Sequence, residues 1–203
     1  MVDERQTLAT SIGDTVALHQ RFACEGADSV LAAARAISTA FARGGKVLLF
    51  GNGGSASDAQ HVAAEFVGRF LREREALPAI ALTTDTSILT SIGNDYSYDR
   101  IFARQVEALG RPGDVAIGIS TSGGSPNVVA GLAAADEGGL VTIAVTGRDG
   151  GAVGQLAAIH VNVPSDSTPR VQEVHRTLLH IICDLVEQAA CRGVTPRAAT
   201  QSI

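Results

Sequence analysis

The sequence has no tryptophan, two tyrosines, three cysteines and, among sixteen basic residues, one lysine. Each shortage removes a class of function. With a net charge of −5 and acids and bases interspersed, it has neither the basic footprint nor the stacking aromatics of a nucleic-acid binder. Cys24, Cys183 and Cys191 form no CxxC pair, and the last two fall in an apolar C-terminal helical pattern, so the thiols read as structural. Schiff-base chemistry requires a lysine in a pocket. The one lysine, Lys46, follows Gly44 and Gly45 at the start of a strand, the wrong end for a ligand in an open parallel sheet. Lysine-based aldolase and pyridoxal chemistry are therefore set aside. No apolar run reaches the roughly 18 residues of a membrane span, and neither terminus reads as a signal peptide. A cytoplasmic protein acting on a small molecule, with no nucleic-acid or membrane partner, is the expectation.

What is present is apolar content, 45% of 203 residues, enough for one domain with an ordinary core. Two helices are expected within residues 1–43. The first places Leu8, Ile12 and Val16 at helical spacing, and the second is DSVLAAARAISTAFAR, after a break at Gly26. Beyond residue 44 the period changes. KVLLF (46–50), AIAL (79–82), DVAIGI (114–119), LVTIAV (140–145) and IHVNV (159–163) are short apolar runs separated by helical patterns, and a last helix is expected over about Val171 to Ala190. This alternation predicts an α/β fold, a five-stranded parallel sheet flanked by helices in a three-layer, flavodoxin-like sandwich. The whole chain, 1–203, reads as a single domain, with accessory helices in 1–43 and the core in 44–190.

Two crossovers share a chemical pattern. KVLLF feeds GNGGSAS and DVAIGI feeds STSGGS, each followed by a helix, at the strand ends where open α/β sheets bind ligands. Free backbone N–H groups at a helix start attract an anion, and glycine lets the backbone come close. Ser120, Thr121, Ser122 and Ser125 add hydroxyl donors, which makes a phosphate cradle without a cation. Ser125 before Pro126 also fits a helix cap, and both readings use the same helix end. GNGGSA meets the G-x-G-x-x-A pattern. The acid expected roughly 20 residues on falls near Leu71, where Glu73 and Glu75 lie in an arginine-rich segment, so the dinucleotide signal is weak. No Walker motif occurs.

His61 and Glu65 stand four apart on the helix that leaves the first loop, hence on one face. Most such pairs are surface contacts. Here the helix begins at a ligand loop, small residues Ala63 and Ala64 flank the pair, and the last helix carries Gln172, His175 and His180 among apolar residues. At 100° per residue Gln172 and His180 are about 80° apart and His175 is about 140° from His180, so only the first two share a flank. An isolated His180 suits a hydrogen-bonded core position. Joined to His61, Glu65 and Gln172, it would complete a two-imidazole, one-carboxylate, one-amide set acceptable to zinc.

These segments resemble the sugar-isomerase (SIS) domain family and, within it, the phosphoheptose isomerases. The motifs are GNGGSASDAQHVAAEFVGRF, LTTDTSILTSIGNDYSYDRIF, STSGGSPNVV, VTGRDGG and RVQEVHRTLLHIICDLVE, in the family's order from about Phe41 to Glu187. The resemblance implies interconversion of sedoheptulose 7-phosphate and D-glycero-D-manno-heptose 7-phosphate through an enediol, with Glu65 and His180 catalytic. It implies zinc at His61, Glu65, Gln172 and His180. It further implies substrate contacts from Asn52, Gly53, Gly54, Ser55, Glu65, Asn94, Asp95, Ser120, Thr121, Ser122, Ser125 and Gln172. A homotetramer with sites near subunit interfaces is also implied. The chain departs at Gly124, where many relatives have Asn, and at Pro169, where some have an acid; the second departure removes a third carboxylate from the mechanism. A paralogue in the family that binds the bacterial replication initiator lacks the acid–base pair. Glu65 and His180 are both present here, which favours the enzyme over a sugar-phosphate sensor or protein-binding module.

Overall fold

Strands covered by helices on both faces need apolar side chains on both, and the short apolar runs of this sequence form such strands. The computed structural model describes residues 3–193; residues 1, 2 and 194–203, included in the expected domain, lie outside the described residues. The strands are β1 (Val47–Gly51), β2 (Ala79–Ala81), β3 (Val115–Ser120), β4 (Val141–Gly147) and β5 (Ile159–Val163), all parallel, in the order β2-β1-β3-β4-β5. The helices are α1 (Glu4–Glu25), α2 (Ala27–Ala42), α3 (Gly54–Val67), α4 (Thr86–Asp95), α5 (Ala103–Leu109), α6 (Pro126–Glu137), α7 (Gly151–Leu156) and α8 (Thr168–Gly193).

Alternate strand residues serve opposite layers. Val47, Leu49, Ile117 and Val145 join Ile37 of α2, Val62 and Phe66 of α3 and Val174 and Leu178 of α8. Leu48, Phe50, Ala116 and Ala144 join Val106 of α5, Val128 and Leu132 of α6 and Val153 of α7. Two separate cores on one sheet make the three-layer sandwich that the alternation predicts. Lys46 acts as a structural tie: its Nζ lies 2.5 Å from Asp114 Oδ2, joining the amino ends of β1 and β3. α8 starts at Thr168, earlier than expected, because Pro169 falls in the first turn, where its missing N–H is not needed.

α1 is least like its sequence pattern. Its only buried residue is Phe22, and the stripe Leu8, Ile12, Val16 is 63%, 56% and 49% exposed. Polar side chains hold it to α8. Thr15 donates to Glu173, His19 Nε2 meets Thr177 Oγ1 at 2.8 Å, and Arg170 reaches the Ser11 carbonyl.

Candidate active site

β1 lies between β2 and β3, and the crossovers leaving β1 and β3 run to opposite layers, α3 to one and α6 to the other. A crevice opens at the carboxyl ends of the two strands, the switch point where such sheets bind ligands. Both glycine-serine loops edge it. Gly53 has φ +56°, which favours glycine, and a Cβ there would meet nothing within 4 Å, so its backbone faces open space. Ser55 is buried behind it.

In the second loop the hydroxyls converge. Ser120 Oγ is 2.9 Å from Ser125 Oγ and 3.4 Å from Ser122 Oγ, and the Gly124 N–H donates to Ser122 Oγ at 3.2 Å. Ser125 stands at the cap position of α6 with Pro126 after it, but its side chain makes no cap hydrogen bond. The hydroxyl is turned into the loop instead. Gly123, at φ +68°, lies so close to α7 that a Cβ would come 2.3 Å from the Gly150 carbonyl oxygen, so this wall of the loop is fixed by backbone contact.

Along the outer layer, α3 and α8 lie side by side and run the same way: Gly54 faces Gln172, Asp58 faces Arg176 and His61 faces His180. His61 Nε2 is 2.8 Å from His180 Nε2 and 3.3 Å from Glu65 Oε1. One ligand atom from each of His61, Glu65 and His180 lies within 4.8 Å of the others, a group able to hold a metal ion. Two imidazoles and a carboxylate converging from two helices match the donor preferences of zinc. The Phe70 ring covers His180, with centroids 5.4 Å apart. Burial, then the electrostatic effect of His61 and Arg176 beside it, lowers His180 below the ordinary histidine value, which favours the neutral imidazole with a lone pair to offer.

Gln172 does not join this group within the chain. It precedes His180 by eight residues, about 12 Å along the helix, and its amide rests on Gly54, where a Cβ would come 2.4 Å from Nε2. Asn94 and Asp95 also stay apart from both loops. They are exposed at the end of α4, Asn94 donates to Asp95 Oδ1 at 2.8 Å, and Asp95 lines a groove with Tyr96 and Arg104. His175, set aside by its helical angle, is buried with Nε2 2.9 Å from the Thr146 carbonyl, and burial lowers its basicity.

Residues 12–147 match the profile of the SIS domain. The phosphoheptose isomerase of Aquifex aeolicus is 61% identical over 165 residues, which cover 81% of this chain and 86% of that protein. The solved phosphoheptose isomerase of Neisseria gonorrhoeae superposes with a TM-score of 0.86 at 43% identity, covering 91% of this chain and 98% of that one. That of Francisella tularensis gives 0.89 at 35% identity, covering 92% and 100%. The chain belongs to the phosphoheptose isomerase family. Its five-stranded parallel sheet flanked by helices is a single SIS domain.

Several polar residues near these phosphoheptose isomerase motifs escaped the sequence reading. Asp58, 4% exposed, accepts from Arg176 Nε at 2.8 Å and lies 2.6 Å from Nη2, tying α3 to α8 midway between the Gln172 and His180 contacts. Glu187, 1% exposed, accepts the backbone N–H groups of Phe70, Leu71 and Arg72 at 2.8–2.9 Å, and so fixes the loop that lays Phe70 on His180. Asn127, buried at the start of α6, pairs with Asn52, and Tyr98 donates to the same Asn52. The side-chain carbonyl of Asn52 thus accepts from both Asn127 and Tyr98.

Proposed function

We infer that the chain is an aldose–ketose isomerase interconverting sedoheptulose 7-phosphate and D-glycero-D-manno-heptose 7-phosphate. The observation that carries this reading is the convergence of the Glu65 carboxylate with two imidazoles, in a chain 61% identical to a phosphoheptose isomerase. The phosphate binds at Ser120, Thr121, Ser122 and Ser125 and at the backbone of Gly53, Gly54 and Ser55. This anchor is remote from the reacting carbons, so its binding energy holds them in place. Glu65 takes the proton from the carbon beside the carbonyl, leaving an enediol. His180, neutral, carries a proton between the two oxygens, and the carbon proton returns at the neighbouring position. Gln172, against Gly54, contributes to the polar wall of the substrate site. Conversion of sedoheptulose 7-phosphate to the aldose, followed by NMR, tests the assignment; no aldose from protein that binds the ketose contradicts it.

His61, Glu65 and His180 would hold zinc. When bound, the ion supplies a Lewis acid that polarises the carbonyl and stabilises negative charge on oxygen. His61→Ala is expected to lower bound zinc at least tenfold in elemental analysis of the folded protein, in keeping with the loss of one of three ligands; full zinc content in that variant would remove the site.

A homotetramer with sites near subunit interfaces is part of the reading. It is supported by the exposed apolar stripe of α1 and by α4, which buries none of its residues. We place the activity in the cytoplasm, because a sugar phosphate carries between one and two negative charges and is retained by membranes. No helix among the described residues is long and apolar enough to cross one.

A further inference from the structure

The crevice between α3 and α6 is bridged by one pair of amides. Asn52, the residue after β1, donates from Nδ2 to Asn127 Oδ1, and Asn127, the second residue of α6, donates from Nδ2 to Asn52 Oδ1, each at 2.8 Å. Turning over either amide alone would set oxygen against oxygen and nitrogen against nitrogen, so the two orientations specify one another. The Tyr98 hydroxyl donates to the same Asn52 Oδ1 at 3.2 Å, using its second lone pair. Asn127 is 2% exposed. Tyr98 and Asn52 line a cavity of about 110 Å³ with Gly53 and Thr83. Among the described residues, no other side-chain hydrogen bond joins the two loops.

The placement matters because the two loops are the two walls of the crevice. One presents the Gly53–Ser55 backbone and the other the Ser120–Ser125 hydroxyls, and they belong to helices on opposite faces of the sheet. A phosphate held by both walls requires a fixed gap, since a displacement of about 1 Å can cost a hundredfold in rate. We propose that Asn127 is a positioning residue for the isomerisation, acting with Tyr98 through Asn52 to set the gap between the two loops and hence the register of the phosphorylated substrate. The proposal rests on the functional reading above. It assigns Asn127 and Tyr98 a role and gives the Asn52 side chain a link between the loops.

The test is a cycle of Asn52→Ala, Asn127→Ala and the double variant, with kcat and KM measured for sedoheptulose 7-phosphate and thermal midpoints recorded separately. Either single cut opens the same link, so both single variants and the double variant are expected to show the same rise in KM, about tenfold, with kcat changed less. Tyr98→Phe is expected to raise KM by a smaller factor. An unchanged KM in Asn127→Ala overturns the proposal, and so does a double variant whose KM rise is the product of the two single rises. Asn127→Asp keeps the side-chain shape while setting oxygen against oxygen. It is expected to show the same rise in KM, and serves if Asn127→Ala does not fold; a wild-type KM in it overturns the proposal. Should the wild-type protein bind the ketose without converting it, the isomerase reading fails by itself. Calorimetric binding of sedoheptulose 7-phosphate then carries the test: equal weakening in both single variants supports the link, and unchanged affinity in Asn127→Ala overturns it.

Discussion

Glu65→Gln is expected to lower kcat by about 10²–10⁴-fold, the range that a positioned acid–base group contributes, while leaving the protein folded and able to bind sedoheptulose 7-phosphate. Glutamine keeps the shape of the side chain and an oxygen near His61 Nε2, now 3.3 Å from Glu65 Oε1, but it cannot accept the carbon proton. The same substitution separates the two roles proposed for Glu65. A carboxylate that ligates an ion is a weaker base, because the ion stabilises its ionised form. Zinc content measured beside kcat resolves the matter: turnover lost with zinc retained assigns Glu65 as the base, and zinc lost together with turnover assigns it the ligand role. Wild-type turnover in this variant removes Glu65 from the chemistry.

The second large effect concerns stability. Glu187→Ala is expected to cost about 3–5 kcal/mol in urea unfolding at neutral pH, because it removes the acceptor of three backbone donors and the counter-charge of the buried Arg74 guanidinium, whose Nε is 3.4 Å from the carboxylate. Burial pushes the Glu187 carboxyl up, but the N–H groups of Leu71, Phe70 and Arg72 and the Arg74 charge outweigh it and hold the group below the ordinary carboxylate value. A carboxyl whose folded value is depressed stabilises the fold above its unfolded value, and that contribution is lost as pH falls through the folded one. The stability gap between wild type and Glu187→Gln is therefore expected to be full above about pH 5 and to narrow with acidification below that, where the unfolded glutamate starts to hold its proton. A gap independent of pH would show that the carboxylate charge contributes nothing to the fold.

The sheet was legible because strands buried on both faces are written as uninterrupted apolar runs, and β1, β3, β4 and β5 fall on those runs. α4 was not. It buries no residue fully, its Leu89 and Ile92 packing half-buried against the second core, and its start is marked by Asp85 capping the Ile88 N–H. His61 and Glu65 were legible because a four-residue spacing fixes their relation within one helix. Gln172 and His180 share a flank by angle, but an angle around a helix leaves out the rise along it, and eight residues set Gln172 about 12 Å along α8 from His180. Asn127 lies 75 positions from its partner, and Glu187 bonds to backbone groups that no side-chain pattern displays. Glu187 looks like one more solvent-facing acid on an amphipathic helix. Only the loop folded over it makes it a buried anchor.

In the proposed reaction Glu65 and His180 move a carbon proton through an enediol on a phosphorylated heptose. Incubation of zinc-loaded protein with sedoheptulose 7-phosphate in deuterated water, read by NMR for aldose and for deuterium at the carbon beside the carbonyl, tests it most directly. Aldose forming together with solvent deuterium at that carbon is the predicted result. Bound ketose that neither isomerises nor exchanges its proton would contradict it.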